Sequence, residues 1–232
     1  MKLILDQVIA RRGPWSLEAD GCFDKGIHLV TGDLGSGKST LALIMAGLFP
    51  TEQGTVRMEQ IRGVMLSMEF PEFYLTGLTV AEECASWGLD AEEIVQNTGL
   101  CISTTTPPLC LSRGELKCLH LSCVLARPHD LLLLDEPFSS LDCSQKERLC
   151  TELSQRQEGI TVLFTHEQAT FPRVDHIWEI ADGRLVDCGV LPGALERWQH
   201  APELVKKLVC AGMIPENLTP DKIWEAACRI QG

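Results

Sequence analysis

The sequence predicts an α/β fold built on a largely parallel sheet, and three observations carry that prediction. Short apolar runs alternate with segments of helical periodicity along most of the chain. One such run, residues 27–31, stops at Gly32 and gives way at Lys38 to Leu41, Ile44, Met45 and Leu48 at helical spacing. Another, residues 131–134, is leucine throughout, as a strand buried on both faces requires.

In order, residues 3–9 and 27–31 read as strands, 38–47 as a helix, and 54–58 and 63–68 as strands. Thr79 and Glu82 have capping-box spacing and open a helix through Trp87. Residues 91–98 form a short helix, and the Thr/Pro cluster 103–108 a loop. A helix runs from Ser112 to about Ala126, followed by the strand 131–135, a helix over 144–156 and a β-branched strand over 160–165. Residues 177–186 read as a hairpin turning on Asp182-Gly183. The tail from Leu191 is helical, one helix opening at Thr219-Pro220 with proline in the first turn.

Composition narrows the classes. Hydrophobic residues make up 45% of 232, enough for one sizeable domain or two small ones. The longest apolar runs fall far short of a bilayer span. A net charge of −12 disfavours nucleic-acid binding, which needs basic residues to neutralise phosphates. The eleven cysteines are irregularly spaced and contain no Cys-x-x-Cys pair, so they read as free thiols and small apolar fillers rather than metal ligands.

Four motifs carry chemistry. Gly32-Asp33-Leu34-Gly35-Ser36-Gly37-Lys38-Ser39-Thr40 has the spacing of a phosphate-binding loop between a strand and a helix. Its glycines let backbone N–H groups turn toward anionic oxygens, the helix N-terminus adds its dipole, Lys38 reaches the β and γ phosphates, and Ser39 offers a hydroxyl to Mg²⁺. The leucine run ends in Asp135-Glu136-Pro137, which delivers one carboxylate for a Mg²⁺ shell and a second, Glu136, to orient and deprotonate water. Leu111-Ser112-Arg113-Gly114-Glu115 opens a helix and by itself is equally a Ser-x-x-Glu capping box. Phe164-Thr165-His166 ends a strand, where an isolated histidine is commonly a satisfied surface residue.

Taken in this order, the motifs resemble the ABC transporter ATPase family over roughly residues 3–189. The resemblance implies a P-loop NTPase core of ABC ATPase type, with a mixed sheet, a small antiparallel β subdomain and a short helical signature subdomain. It implies an ATP-binding and ATP-hydrolysing domain over 1–190, its helical part at about 70–125, and a helical extension over 191–232. In that family Ser112 and Gly114 belong to the signature that reaches a partner's γ-phosphate, His166 is the switch histidine, and Ser139–Asp142 lies along a dimer interface. Two ATP molecules, each with Mg²⁺, are then sandwiched in a head-to-tail homodimer or heterodimer. The dimer drives integral membrane transporter subunits from the cytoplasmic face of the membrane. Residues 181–189 look most like the importer branch, and the Phe70-Pro71-Glu72 neighbourhood is similar to energy-coupling factor ATPases for vitamins, cobalt or nickel.

The sequence also departs from the family. Glu69 stands where a Mg²⁺-touching Gln is usual, so it supplies an oxygen ligand but adds negative charge beside a triphosphate. Arg113 and Glu115 replace a Gly and a Gln of the signature. Arg12, with Trp15 close by, occupies the place of the adenine-stacking aromatic. Phe70, Phe73, Tyr74 and Leu75 read either as core or as a groove wall for a short helix of a membrane protein. The alternative to a transporter subunit is a soluble or regulatory ABC-family ATPase not coupled to transport.

Overall fold

The structure, a computed structural model, describes residues 1–156 and 158–228, without the Arg12 side chain. The chain opens with β1 (Lys2–Arg12), β2 (Trp15–Phe23) and β3 (Gly26–Gly32), then α1 (Lys38–Met45), β4 (Gln53–Glu59) and β5 (Val64–Ser67). A helical segment comes next, comprising α2 (Val80–Ser86), α3 (Ala91–Thr98) and α4 (Arg113–Leu125). It leads into β6 (Leu131–Asp135), α5 (Cys143–Ser154), β7 (Ile160–Phe164), β8 (His176–Ala181) and β9 (Arg184–Val190), and finally α6 (Glu203–Cys210) and α7 (Pro220–Cys228). Among the described residues no helix is long and apolar enough to cross a membrane.

The strands form one sheet in the order β4-β1-β2-β9-β8-β3-β7-β6-β5. Strands β8, β3, β7, β6 and β5 pair in parallel, whereas β1 pairs antiparallel with both β2 and β4, and β9 antiparallel with β8. This is the largely parallel sheet that the sequence predicts, with the antiparallel part that the family resemblance implies. The parallel strands β3, β7 and β6 are mostly apolar because both faces are covered. Leu131 and Leu133 share a core with Leu41 and Ile44 of α1, while Leu132 and Leu134 pack with Leu121 of α4 and Leu149 and Leu153 of α5. Each such leucine contributes roughly 1.5–3 kcal/mol relative to exposure.

The sequence predicts no strand over 15–23, where β2 forms. Its signal is a period of two, with Leu17, Ala19 and Phe23 buried between exposed polar residues, diluted by Gly21 and Cys22. Most other element ends differ by one or two residues, but β1 runs three residues beyond the expected strand, to Arg12, and the hairpin four beyond, to Val190. The helix predicted from Ser144 starts at Cys143 because Asp142 accepts from the Gln145 N–H while the Gln145 side chain accepts from the Asp142 N–H. The eleven cysteines are free thiols.

Helices α2, α3 and α4 share a small core of Val80, Cys84, Ile94, Val95, Leu119 and Cys123. Beside it the buried Glu83 carboxylate accepts hydrogen bonds from the Thr76 and Gly77 N–H groups at 2.8 Å each, the Thr76 hydroxyl at 3.2 Å and Trp87 Nε1 at 3.1 Å. Burial pushes its pKa up, but these donors outweigh burial and hold the group below its ordinary value. Glu83→Gln, which turns an NH₂ against one donor, is expected to cost about 1–3 kcal/mol in urea unfolding at neutral pH. Because the folded-state pKa is the lower one, the wild-type advantage is complete above the ordinary glutamate range. It should shrink as the pH falls through the folded value.

Candidate functional site

The register of the parallel strands fixes the site. Val30 of β3 and Asp135 of β6 both pair with Phe164 of β7, so three strand ends lie level. The segments leaving these strands must therefore emerge on one edge: the phosphate loop after β3, Glu136 after β6, and Thr165-His166 after β7. Backbone bonds lock the exits, Glu136 N–H donating to Phe164 O at 2.8 Å and Thr165 N–H to Val30 O at 3.1 Å.

The loop ends at Gly37, which caps α1 in the left-handed region with φ 111°. No side chain caps the helix, so its first N–H groups face outward for an anion. A Cβ on Gly37 would lie 2.3 Å from the Trp15 ring. Lys38 is buried, its Nζ donating to Gly32 O at 2.9 Å and Asp33 O at 3.1 Å and standing 3.9 Å from Glu136 Oε1.

Glu136 sits at φ 47°, a conformation costing about 1–3 kcal/mol for a non-glycine residue. Its Oε1 lies 2.8 Å from His166 Nδ1, and its Oε2 accepts from the Thr165 hydroxyl at 3.0 Å and the His166 N–H at 3.3 Å. The His166 ring is 61% exposed, so it is held on one side and free on the other. A pocket of about 330 Å³ opens here, lined by Trp15, Leu34, Gly35, the stretch from Gly37 through Thr40, Glu69, Glu136 and His166.

Asp135 lies beneath this pocket, 2% exposed, and its Oδ1 has no hydrogen-bond partner among the described residues. Burial pushes its carboxyl up against the opposing Ser39 hydroxyl, with the Glu136 and Glu69 charges adding to the rise. The loop's Ser36 Oγ is a second buried polar atom without a partner there. Lys117, on the buried face of α4, donates to Glu69 O at 2.9 Å and Met68 O at 3.3 Å. Burial pulls its pKa down to about 8 even though Asp135, Glu69 and Glu136 oppose the fall.

Ser112 and Gly114 lie outside this pocket. Ser112 is exposed at the N-cap of α4, where its hydroxyl donates to Glu115 Oε2 at 2.7 Å within a complete capping box. Gly114 meets the turn after Glu136 so closely that a Cβ would stand 2.7 Å from Ser140 O.

This geometry has counterparts. Residues 22–139 match the family described as ABC transporter. A Thermotoga maritima protein named energy-coupling factor transporter ATP-binding protein EcfA1 is 32% identical over 222 residues, covering 85% of each chain. The chain belongs to the ABC transporter family. An uncharacterized ABC transporter ATP-binding protein of Mycobacterium tuberculosis is 31% identical over 201 residues, 77% of this chain, and this chain spans only 29% of that protein's length. Among solved structures, cbiO1 of Clostridium perfringens, described as part of the ABC transporter complex cbiONQ, superposes with a TM-score of 0.63. Its sequence identity is 20%, over 79% of this chain and 86% of that one.

Several groups that build this ABC domain's pocket carry no local sequence signal. Lys117 sits with His120 on the otherwise apolar inner face of α4, where nothing in the sequence marks it as facing the carboxylates. Trp15 enters the pocket through β2; the Arg12 side chain, suggested for adenine, lies outside the described residues. Asp135→Asn, which removes a buried charge with a missing partner, is expected to stabilise the nucleotide-free chain by about 1 kcal/mol. Thermal melts should show that gain together with loss of any further Mg²⁺-dependent stabilisation by nucleotide.

Proposed function

We propose that this chain is the ATP-hydrolysing subunit of an ABC transporter, with an ATPase domain over 1–190 and a helical extension over 191–232. The observation that carries the reading is the convergence of Lys38, Glu136 and His166 at the level ends of β3, β6 and β7. On binding, the triphosphate takes the exposed N–H groups of the loop and of the first turn of α1, and Lys38 exchanges the Gly32 and Asp33 carbonyls for phosphate oxygens. The Trp15 ring, already against Gly37, offers a face for the base.

Hard oxygen donors at Ser39, Asp135 and Glu69 suit Mg²⁺, and the partnerless Asp135 Oδ1 fits such a role. Bound there, the ion supplies positive charge to the phosphate oxygens. Glu136 then accepts the proton of the attacking water, and His166, fixed by Glu136 through Nδ1, keeps Nε2 toward the γ-phosphate.

Ser112 and Gly114 lie away from the chain's own pocket, which suits a head-to-tail dimer in which each α4 N-terminus closes the other's site. Phe73, 78% exposed, stands with the half-exposed Phe70 and Tyr74 beside the Glu69 segment. An apolar wall there fits a short helix of a membrane subunit and favours peripheral attachment to a transporter over a free-standing ATPase. The relatives' names as transporter proteins support the same choice, and likeness to relatives named as import ATP-binding proteins for Fe(3+) ions and thiamine favours an importer.

Purified protein is expected to hydrolyse ATP, and Glu136→Gln to lower the steady-state rate by about 10²–10⁴-fold while ATP-dependent dimers accumulate in size-exclusion runs. Lys38→Ala should lose nucleotide affinity. Equal turnover in the wild type and Glu136→Gln would remove Glu136 from the chemistry.

A further inference from the structure

The tail after β9 returns to the phosphate loop. Trp198 Nε1 donates to the buried Thr31 hydroxyl at 2.7 Å, one residue before the loop begins. Two residues on, His200 stands between two carboxylates, with Nδ1 2.6 Å from Glu179 Oε1 on β8 and Nε2 3.1 Å from Asp33 Oδ1 in the loop. Glu179 is 2% exposed and also accepts from the His200 N–H at 2.6 Å and the Gln199 N–H at 3.2 Å. For both ring contacts to be hydrogen bonds to ionised carboxylates, the ring must carry two N–H groups and hence a positive charge.

Asp33 is therefore held at both ends. Its backbone carbonyl takes Lys38 Nζ, and its side chain, 84% exposed, is drawn away by His200. Asp33 is also the acidic residue within a loop whose other groups are arranged for an anion. An unpaired carboxylate there repels a triphosphate through partly screened space.

We propose that His200 is a positioning residue for the phosphate loop: by pairing with Asp33 it neutralises and orients the loop's own carboxylate, and so sets ATP affinity from the C-terminal extension. The role rests on the ATP-binding function proposed above. His200 touches neither the reacting atoms nor the rest of the pocket, and acts through Asp33.

The test is a charge-suppression cycle on the full chain, read as ATP dissociation constants by titration calorimetry with Mg²⁺. His200→Ala is expected to weaken ATP binding by about five- to tenfold when Asp33 is present and by less than about twofold in the Asp33→Asn background. His200→Gln, which keeps a donor toward one carboxylate, reads the same quantity with Asp33→Asn if the alanine variant fails to melt cooperatively. Unchanged affinity in a folded His200 variant overturns the proposal. So does a loss that Asp33→Asn leaves in place, because His200 then serves only to hold the tail. Absence of ATP binding by the wild type, or its persistence in Lys38→Ala, is a different failure and strikes the nucleotide-binding function itself.

Discussion

Parallel pairing of β3, β7 and β6 is the constraint that creates the pocket. Val30, Phe164 and Asp135 share one level, and everything charged begins within a few residues of it. A slip of one residue in β6 would exchange Leu132 and Leu134 for Leu131 and Leu133 across the sheet and carry Asp135 and Glu136 with them. The unbroken leucine run does not by itself prevent that slip. Both faces accept leucine, so the ladder bonds and the packing of α1 on one side and α5 on the other must fix the register. The chemistry is thus placed by apolar residues that take no part in it.

Once placed, the charges strain the site. Asp135 is nearly without solvent and incompletely hydrogen-bonded, Glu136 is held at positive φ, and the buried Lys117 sits near its own neutralisation. Buried carboxylates of like sign would be ruinous alone, each costing several kcal/mol. Lys38 beside Glu136 and the Lys117 charge acting on Asp135 compensate them. Glu69 gains meaning in this setting: its backbone carbonyl is tied to Lys117, so an added carboxylate stands near an added cation. Conformational strain concentrated at one rim of an otherwise regular sheet is the usual mark of a functional region.

How much of this the sequence discloses depends on distance along the chain. The phosphate loop, the acids after the leucine run and the Thr165-His166 exit are legible because strand, turn and helix demand residue types at short spacing. Strand β2 is less legible, its period of two interrupted by Gly21 and Cys22, and Trp15's place in the pocket is hidden with it. Lys117 reads as an ordinary helical residue until α4 turns it inward. Ser112 and Glu115 form the capping box their spacing predicts, which says nothing by itself of what the helix end faces. His200 is the extreme case, since nothing near it suggests a connection with a residue 167 positions earlier.

That separation has a consequence for synthesis. The phosphate loop leaves a ribosome before Trp198 and His200, which brace it and emerge on the order of ten seconds later at ordinary elongation rates. During that interval a nascent chain carries a cradle whose acidic residue is unbalanced and whose supporting hydroxyl at Thr31 lacks its indole partner. Maturation is therefore vectorial: a loop made earlier is finished by a segment made later.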